Sequence, residues 1–186
     1  MAKNSILSEL VFNPTEGGLR FKGVRYLLIR PETIASFQKS LEAEAGRPAA
    51  GQILYAGGFT GGQLSGRKYK DTFGLSDREA VEFMCRMGGE IGWGHFRLVE
   101  LDSGARRLVV EVNHSPFAVA YAAAGVDEQS NIQHPTSKIE GGVCHLIRGV
   151  LGGLAAGVFS TAVTARETHC AARGDSTCRF EVEGQP

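Results

Sequence analysis

The 186-residue chain carries 20 basic and 20 acidic residues, which cancel and form no long single-sign run, so neither nucleic acid nor an anionic membrane surface is an evident partner. Its length fits one domain, 1–186, with a core large enough to need no disulfide staples. The N-terminus lacks a signal-peptide succession, and the longest uncharged stretch, 149–165, is too short and too rich in glycine, serine and threonine to span a membrane; a cytoplasmic, reducing setting is expected, in which four irregularly spaced cysteines serve as thiols or thiolates.

In chain order, "ELVFN" and "GLRFKGVRYLLIR" are rich in β-branched and aromatic residues and are separated by the turn signal "PTEGG". They predict an N-terminal hairpin and a third extended segment over 1–30. Pro31 opens a helix with Ile34, Phe37 and Leu41 at helical spacing and Gly46 as its stop. The next stretch, "RPAAGQILYAGGFTGGQLSGRKY", is helical but glycine-rich. Each interior glycine costs about 0.5 to 1 kcal/mol relative to alanine, so this helix either packs very closely or breaks near Gly57 and Gly61. "SDREAVEFMCRMGGEIGW" begins with a capping box from Ser76 to Glu79.

The period then changes. "HFRLVELD" and "RRLVVEVNH" flank Ser103-Gly104 and predict an antiparallel hairpin. "SPFAVAYAAAG" reads as a short helix or a turn followed by one, and "VDEQSNIQHPT" as a loop. A capping box from Ser137 to Glu140 opens a helix of small residues running to Phe159, expected to lie backbone-close on a sheet. Two strands, "TAVTARET" and "STCRFEVE", close the chain around "HCAARGD". The organisation is therefore an extended segment over 1–30, helices and a central hairpin over 31–136, and a cysteine-bearing part over 137–186. The fold class is α/β in the broad sense (α+β), an antiparallel sheet packed with helices.

Chemistry concentrates at the C-terminal end. Cys144, Glu167, Cys170 and Cys178 form the pattern C-x22-E-x2-C-x7-C. Three sulfurs and one carboxylate suit tetrahedral zinc, and four protein ligands with no open position mark a structural site. The residues alone leave two readings open, since cysteines are commonly buried free thiols and this spacing is no zinc-finger signature. His169 is an alternative ligand to Glu167, although its neighbour Cys170 would point the other way on extended backbone. Cys85, isolated on a helix, reads as core. His95, with Trp93 and Phe96 beside it, could orient one polar atom of an apolar ligand, or be an ordinary histidine. Phe117 and Tyr121, and likewise Tyr55 and Phe59, read either as pocket lining or as core. No phosphate-loop or dinucleotide fingerprint follows from the glycines.

The tail "ETHCAARGDSTCRFEV" with its four candidate ligands resembles the 4-vinyl-reductase-type domain. The N-terminal half, from "LVFNPTEGG" to "GGFTGGQ", is similar to the sensor domain of phenol- and xylene-responsive enhancer-binding activators. The resemblance implies a fold related to nitric-oxide sensors and Golgi-tethering subunits. It also implies a homodimer formed through the N-terminal segment, a buried pocket for a small hydrophobic molecule, and structural zinc on Cys144, Glu167, Cys170 and Cys178. In the phenol sensors a histidine after the central helix and a tryptophan on the next hairpin hold the ligand hydroxyl. His95 matches the histidine, whereas Val112 stands where the tryptophan is expected.

The leading expectation is thus a non-enzymatic sensor or carrier of a small hydrophobic, aromatic ligand, with a regulatory protein as partner. The alternative is a tetrapyrrole-related accessory protein or 4-vinyl reductase in bacteriochlorophyll synthesis. Reduction requires an electron source, and no nicotinamide, flavin or iron-sulfur spacing is evident in the sequence.

Overall fold

A computed structural model describes residues 4–124 and 141–185. The predicted loop 126–136 and the capping box Ser137–Glu140 lie outside them. Helix α1 (Ser5–Glu9), absent from the sequence reading, precedes three short strands, β1 (Val11–Asn13), β2 (Gly18–Phe21) and β3 (Val24–Tyr26), that form an antiparallel sheet in that order. Asn4 caps α1, and the Glu90 carboxylate accepts both the Ser5 hydroxyl (2.7 Å) and the Ile6 N–H (2.9 Å).

Helices α2 (Pro31–Ala45), α3 (Arg47–Phe73) and α4 (Asp77–Glu90) follow. The predicted capping box at Ser76 and Glu79 is formed in full. On α2 the buried residues are Ala35 and Gln38, while Phe37 is exposed. The predicted apolar stripe therefore does not face the core as a whole. Gln38 goes inward because its side-chain amide donates to the Val143 carbonyl at 3.1 Å.

The larger sheet contains β4 (His95–Asp102), β5 (Arg107–Asn113), β6 (Val163–His169) and β7 (Cys178–Gly184), in the antiparallel order β4-β5-β7-β6. Helix α5 (Pro116–Ala123) caps the end of β5, and helix α6 (His145–Phe159) packs against β6 and β7. The inner face of the sheet supplies Leu108, Val110, Val112, Phe180 and Val182, all fully buried with Ile147, Leu151 and Leu154 of α6. This cluster extends without a break to Ile6 and Phe21. The outer face carries a ladder of charges. Arg97 and Arg179 both pair with Glu111, Arg179 and Arg107 with Glu181, and Arg107 also with Glu100 and Glu183.

The glycine-rich stretch is one continuous helix, unbroken at Gly57 and Gly61. Its glycines Gly58, Gly62 and Gly66 interlock with Gly149, Gly153 and Gly157 of α6. A methyl group at Gly62 would lie 2.0 Å from the Val150 carbonyl oxygen, and one at Gly153 2.0 Å from that of Phe59. The small-residue helix thus makes its backbone-close contact with α3 rather than with the sheet, a correction to the sequence reading. It also begins later, at His145, with Cys144 as its N-cap.

Candidate metal centre and aromatic face

The four candidate ligands arrive from three directions. Cys144 caps α6, Cys178 opens β7, and Glu167 and Cys170 bracket the end of β6. On a regular strand two residues three positions apart point to opposite faces. Here the β6–β7 register steps from Glu167–Phe180 to His169–Arg179, so Thr168 is the extra residue of a β-bulge. The bulge brings Glu167 and Cys170 to the same side, and His169 is exposed, away from the cluster. After Cys170 a single 3-10 turn (Ala171–Arg173) and Gly174, at φ 95°, reverse the chain. Asp175 holds that turn by accepting the Cys170 N–H at 2.7 Å and an Arg173 guanidinium N–H at 3.0 Å.

One candidate ligand atom from each of the four residues falls within 4.8 Å of the others. The sulfurs of Cys144 and Cys178 are 3.8 Å apart. The Cys144 N–H donates to Glu167 Oε2 at 2.9 Å, and the Ala171 N–H to the Cys178 sulfur at 3.4 Å. All three cysteines are buried and free of disulfides. Glu167 Oε1 is buried without a hydrogen-bond partner. Burial, reinforced by Cys170, pushes the Glu167 carboxyl up to about 8. Hydrogen bonds from Cys144 and Cys170 draw Cys178 down to about 4, and donation toward Cys170 and Cys178 raises Cys144 well above the usual thiol range. A thiolate, two further sulfurs and a carboxylate with an orphaned oxygen form a donor set that a soft or borderline divalent cation satisfies. The cluster is capable of coordinating a metal ion. Cys85 lies elsewhere in the core, its thiol pushed up to about 12 by burial.

Two supporting residues escaped the sequence reading. Ser115, fully buried, caps α5 and touches the Cys144 sulfur at 3.9 Å; the Ser-Pro pair was the available signal. At Gly142 a methyl group would lie 2.0 Å from Glu167 Oε2, so glycine leaves the carboxylate its place.

The candidate ligand-binding residues divide. Trp93 and Phe117 meet edge to face, 5.2 Å between centroids at 78°. Phe96 packs over Gly88, where a methyl group would come within 2.9 Å of its ring. All three are half-buried against the main core, with Val112 buried opposite Phe96 in the β4–β5 register. His95 does not join them. It is exposed on the opposite face of β4, because successive strand residues alternate. Tyr121 is buried, and its hydroxyl donates to Glu42 at 2.7 Å while Lys39 sits 3.6 Å from its ring centre. Tyr55 and Phe59 line the α3–α6 contact. Among the described residues, three open clefts of about 700, 420 and 310 Å³ lie along α3, α4 and the N-terminal strands, lined by other residues than these five.

Fold and site together define an α+β module in which three cysteines and one glutamate are clamped between a helix N-terminus and the terminal hairpin. The chain belongs to the family described as activator of aromatic catabolism, which it matches over residues 5–103, and residues 128–184 match the 4-vinyl-reductase (vinyl-4-reductase) domain. That family is one of regulators rather than enzymes. The phenol-responsive sensory domain of the transcription activator PoxR, solved with phenol, superposes with a TM-score of 0.78 at 17% identity, over 96% of this chain and 86% of that one. A trafficking protein particle complex subunit 3 from Naegleria fowleri, covalently bound to palmitic acid, superposes at 0.54 with 14% identity, over 84% of this chain and 95% of that one. At these identities the likeness is one of fold. Among curated proteins no match is found. No described helix is long and apolar enough to cross a membrane.

Proposed function

We propose that the chain is a sensory module that binds a small hydrophobic, aromatic molecule and is held together by a structural zinc ion on Cys144, Glu167, Cys170 and Cys178. The observation that carries this reading is the shared core: the three cysteines and the Trp93, Phe96 and Phe117 rings pack into one hydrophobic cluster. A ligand lodged among those rings would be sensed by the same packing that the metal centre braces. Zinc is the choice because it takes sulfur and carboxylate tetrahedrally, and four protein ligands close the site to water, which makes it structural rather than catalytic.

Trp93, Phe96 and Phe117 form the apolar wall for the ligand in this reading, with Tyr121 beneath α2. His95 faces away from that wall and requires a rearrangement of β4 to reach it. Val112, in place of a second polar-armed aromatic, leaves no indole N–H for a phenolic hydroxyl, which favours a less polar aromatic over phenol itself. The exposed Val11, Phe12, Leu27, Leu28 and Ile29 support a homodimer built through the N-terminal segment. The bound state would be read by a regulatory protein partner.

Calorimetric titration of the zinc-loaded protein with phenol, alkylbenzenes and saturated hydrocarbons of matched size tests the proposal. Binding restricted to aromatic compounds is expected. No binding to any of them, with zinc present, overturns it.

A further inference from the structure

We infer that the metal centre doubles as a peroxide-sensitive lock, in which Cys144 and Cys178 close a disulfide and expel the ion. The inference rests on the zinc reading above. The two sulfurs stand 3.8 Å apart, from different elements, Cys144 at the cap of α6 and Cys178 at the start of β7. A disulfide requires about 2.05 Å between sulfurs, so side-chain rotation at two element ends has to supply the difference. The four ligands lie in a shallow layer. Glu167 is only half-buried, and exposed His169 and Arg173 flank Cys170, so a molecule as small as hydrogen peroxide has a short path from solvent.

The Ala171 N–H aimed at the Cys178 sulfur stabilises a thiolate there and marks it as the attacking group. The Cys178 thiolate attacks one peroxide oxygen. The S–O bond forms, the O–O bond breaks, and hydroxide leaves to be protonated to water, giving a sulfenic acid. The Cys144 thiolate, freed as the metal bond breaks, then attacks that sulfur. The S–S bond forms, the S–O bond breaks, and a second hydroxide leaves as water. Two sulfurs have given up two electrons and one peroxide has accepted them. Glu167 and Cys170 remain as two ligands, too few to hold a structural zinc ion, while the new bond still ties α6 to the sheet. Loss of metal is thereby separated from loss of fold, and a thiol reductant reverses the state.

The test treats the zinc-loaded full chain carrying Cys85→Ala with hydrogen peroxide, reads released zinc with a chelating dye, and maps disulfides by peptide mass spectrometry without reduction. Zinc release matched to peroxide consumed, a Cys144–Cys178 link, retained far-ultraviolet circular dichroism and recovery with dithiothreitol plus zinc are expected. Retained zinc with reduced thiols, a link through Cys170, or sulfinic acid at Cys178 overturns the lock. A chain that purifies without metal fails the zinc reading instead, and the peptide map of that chain then decides the lock by the presence or absence of the Cys144–Cys178 link.

Discussion

Gly142 and Glu167 occupy one volume: the carboxylate oxygen that accepts the Cys144 N–H stands where any side chain at position 142 would begin. A metal ligand is thus oriented by an absent methyl group. Gly142→Ala is expected to displace Glu167 and lower metal affinity by roughly 10- to 100-fold, the usual cost of disturbing the groups that orient ligands. Chelator competition measures it, and unchanged affinity would separate Glu167 from the metal.

The α3–α6 interlock separates neighbouring glycines by consequence. Gly62→Ala drives a methyl group into the Val150 carbonyl, whereas Gly61 faces open space. The first change is expected to destabilise by about 1 to 3 kcal/mol or more through overpacking. Gly61→Ala should stabilise by about 0.5 to 1 kcal/mol through helix propensity. Thermal melts of the pair check the contrast, and equal effects would contradict the packing.

The charge ladder predicts acid lability. Hydrogen bonds from Arg97 first, then Arg179, hold Glu111 below its ordinary value of 4.5, and Arg179 and Arg107 do the same for Glu181. A lowered folded-state value contributes stability above the unfolded value, and this is lost as pH falls through the folded one. Glu111→Gln should therefore lower Tm at neutral pH, and the gap should close as the pH falls below the ordinary carboxylate range. A gap of constant size across that range would assign the loss to something other than charge.

Ligand affinity distinguishes the two faces of β4. Trp93→Ala removes half of the edge-to-face pair with Phe117, and affinity for an aromatic ligand should fall by roughly tenfold or more. His95→Ala should change it by less than about twofold and leave Tm unchanged. A large loss at His95 alone would mean that β4 rearranges on binding.

The N-terminal apolar segment offers a direct test of assembly. Leu28 is 88% exposed beside Leu27 and Ile29. Leu28→Glu is expected to convert a dimer to a monomer, read by light scattering coupled to gel filtration, with the far-ultraviolet spectrum unchanged. A monomeric parent protein would remove this reading.

Most elements were legible because their signals are local. Ser76 and Glu79 cap a helix wherever that helix packs, and the alternation around Ser103-Gly104 makes a hairpin from its own pattern. The metal cluster was legible as a set of donors, while the means of gathering them was not. Glu-x-x-Cys on a strand points both ways until a bulge at Thr168 intervenes, and no residue there announces a bulge. His95 illustrates the opposite failure: its neighbours Trp93 and Phe96 pointed to an apolar setting, yet alternation along β4 turns it outward. The glycine helix showed its need for close contact without its partner, since a stripe of small residues fits a helix or a sheet equally well.

The six interlocked glycines also set how force travels through the molecule. Backbones in direct contact have no side chains between them to tilt, so α3 and α6 act as one rod of double thickness. Strain arising at the Cys144 end of that rod is not dissipated along it. It emerges at the far end, near Ser160, held at φ 55°, and along the α3 surface beside the N-terminal strands. The part of the chain best placed to report a change at the metal is therefore the part that faces a second copy.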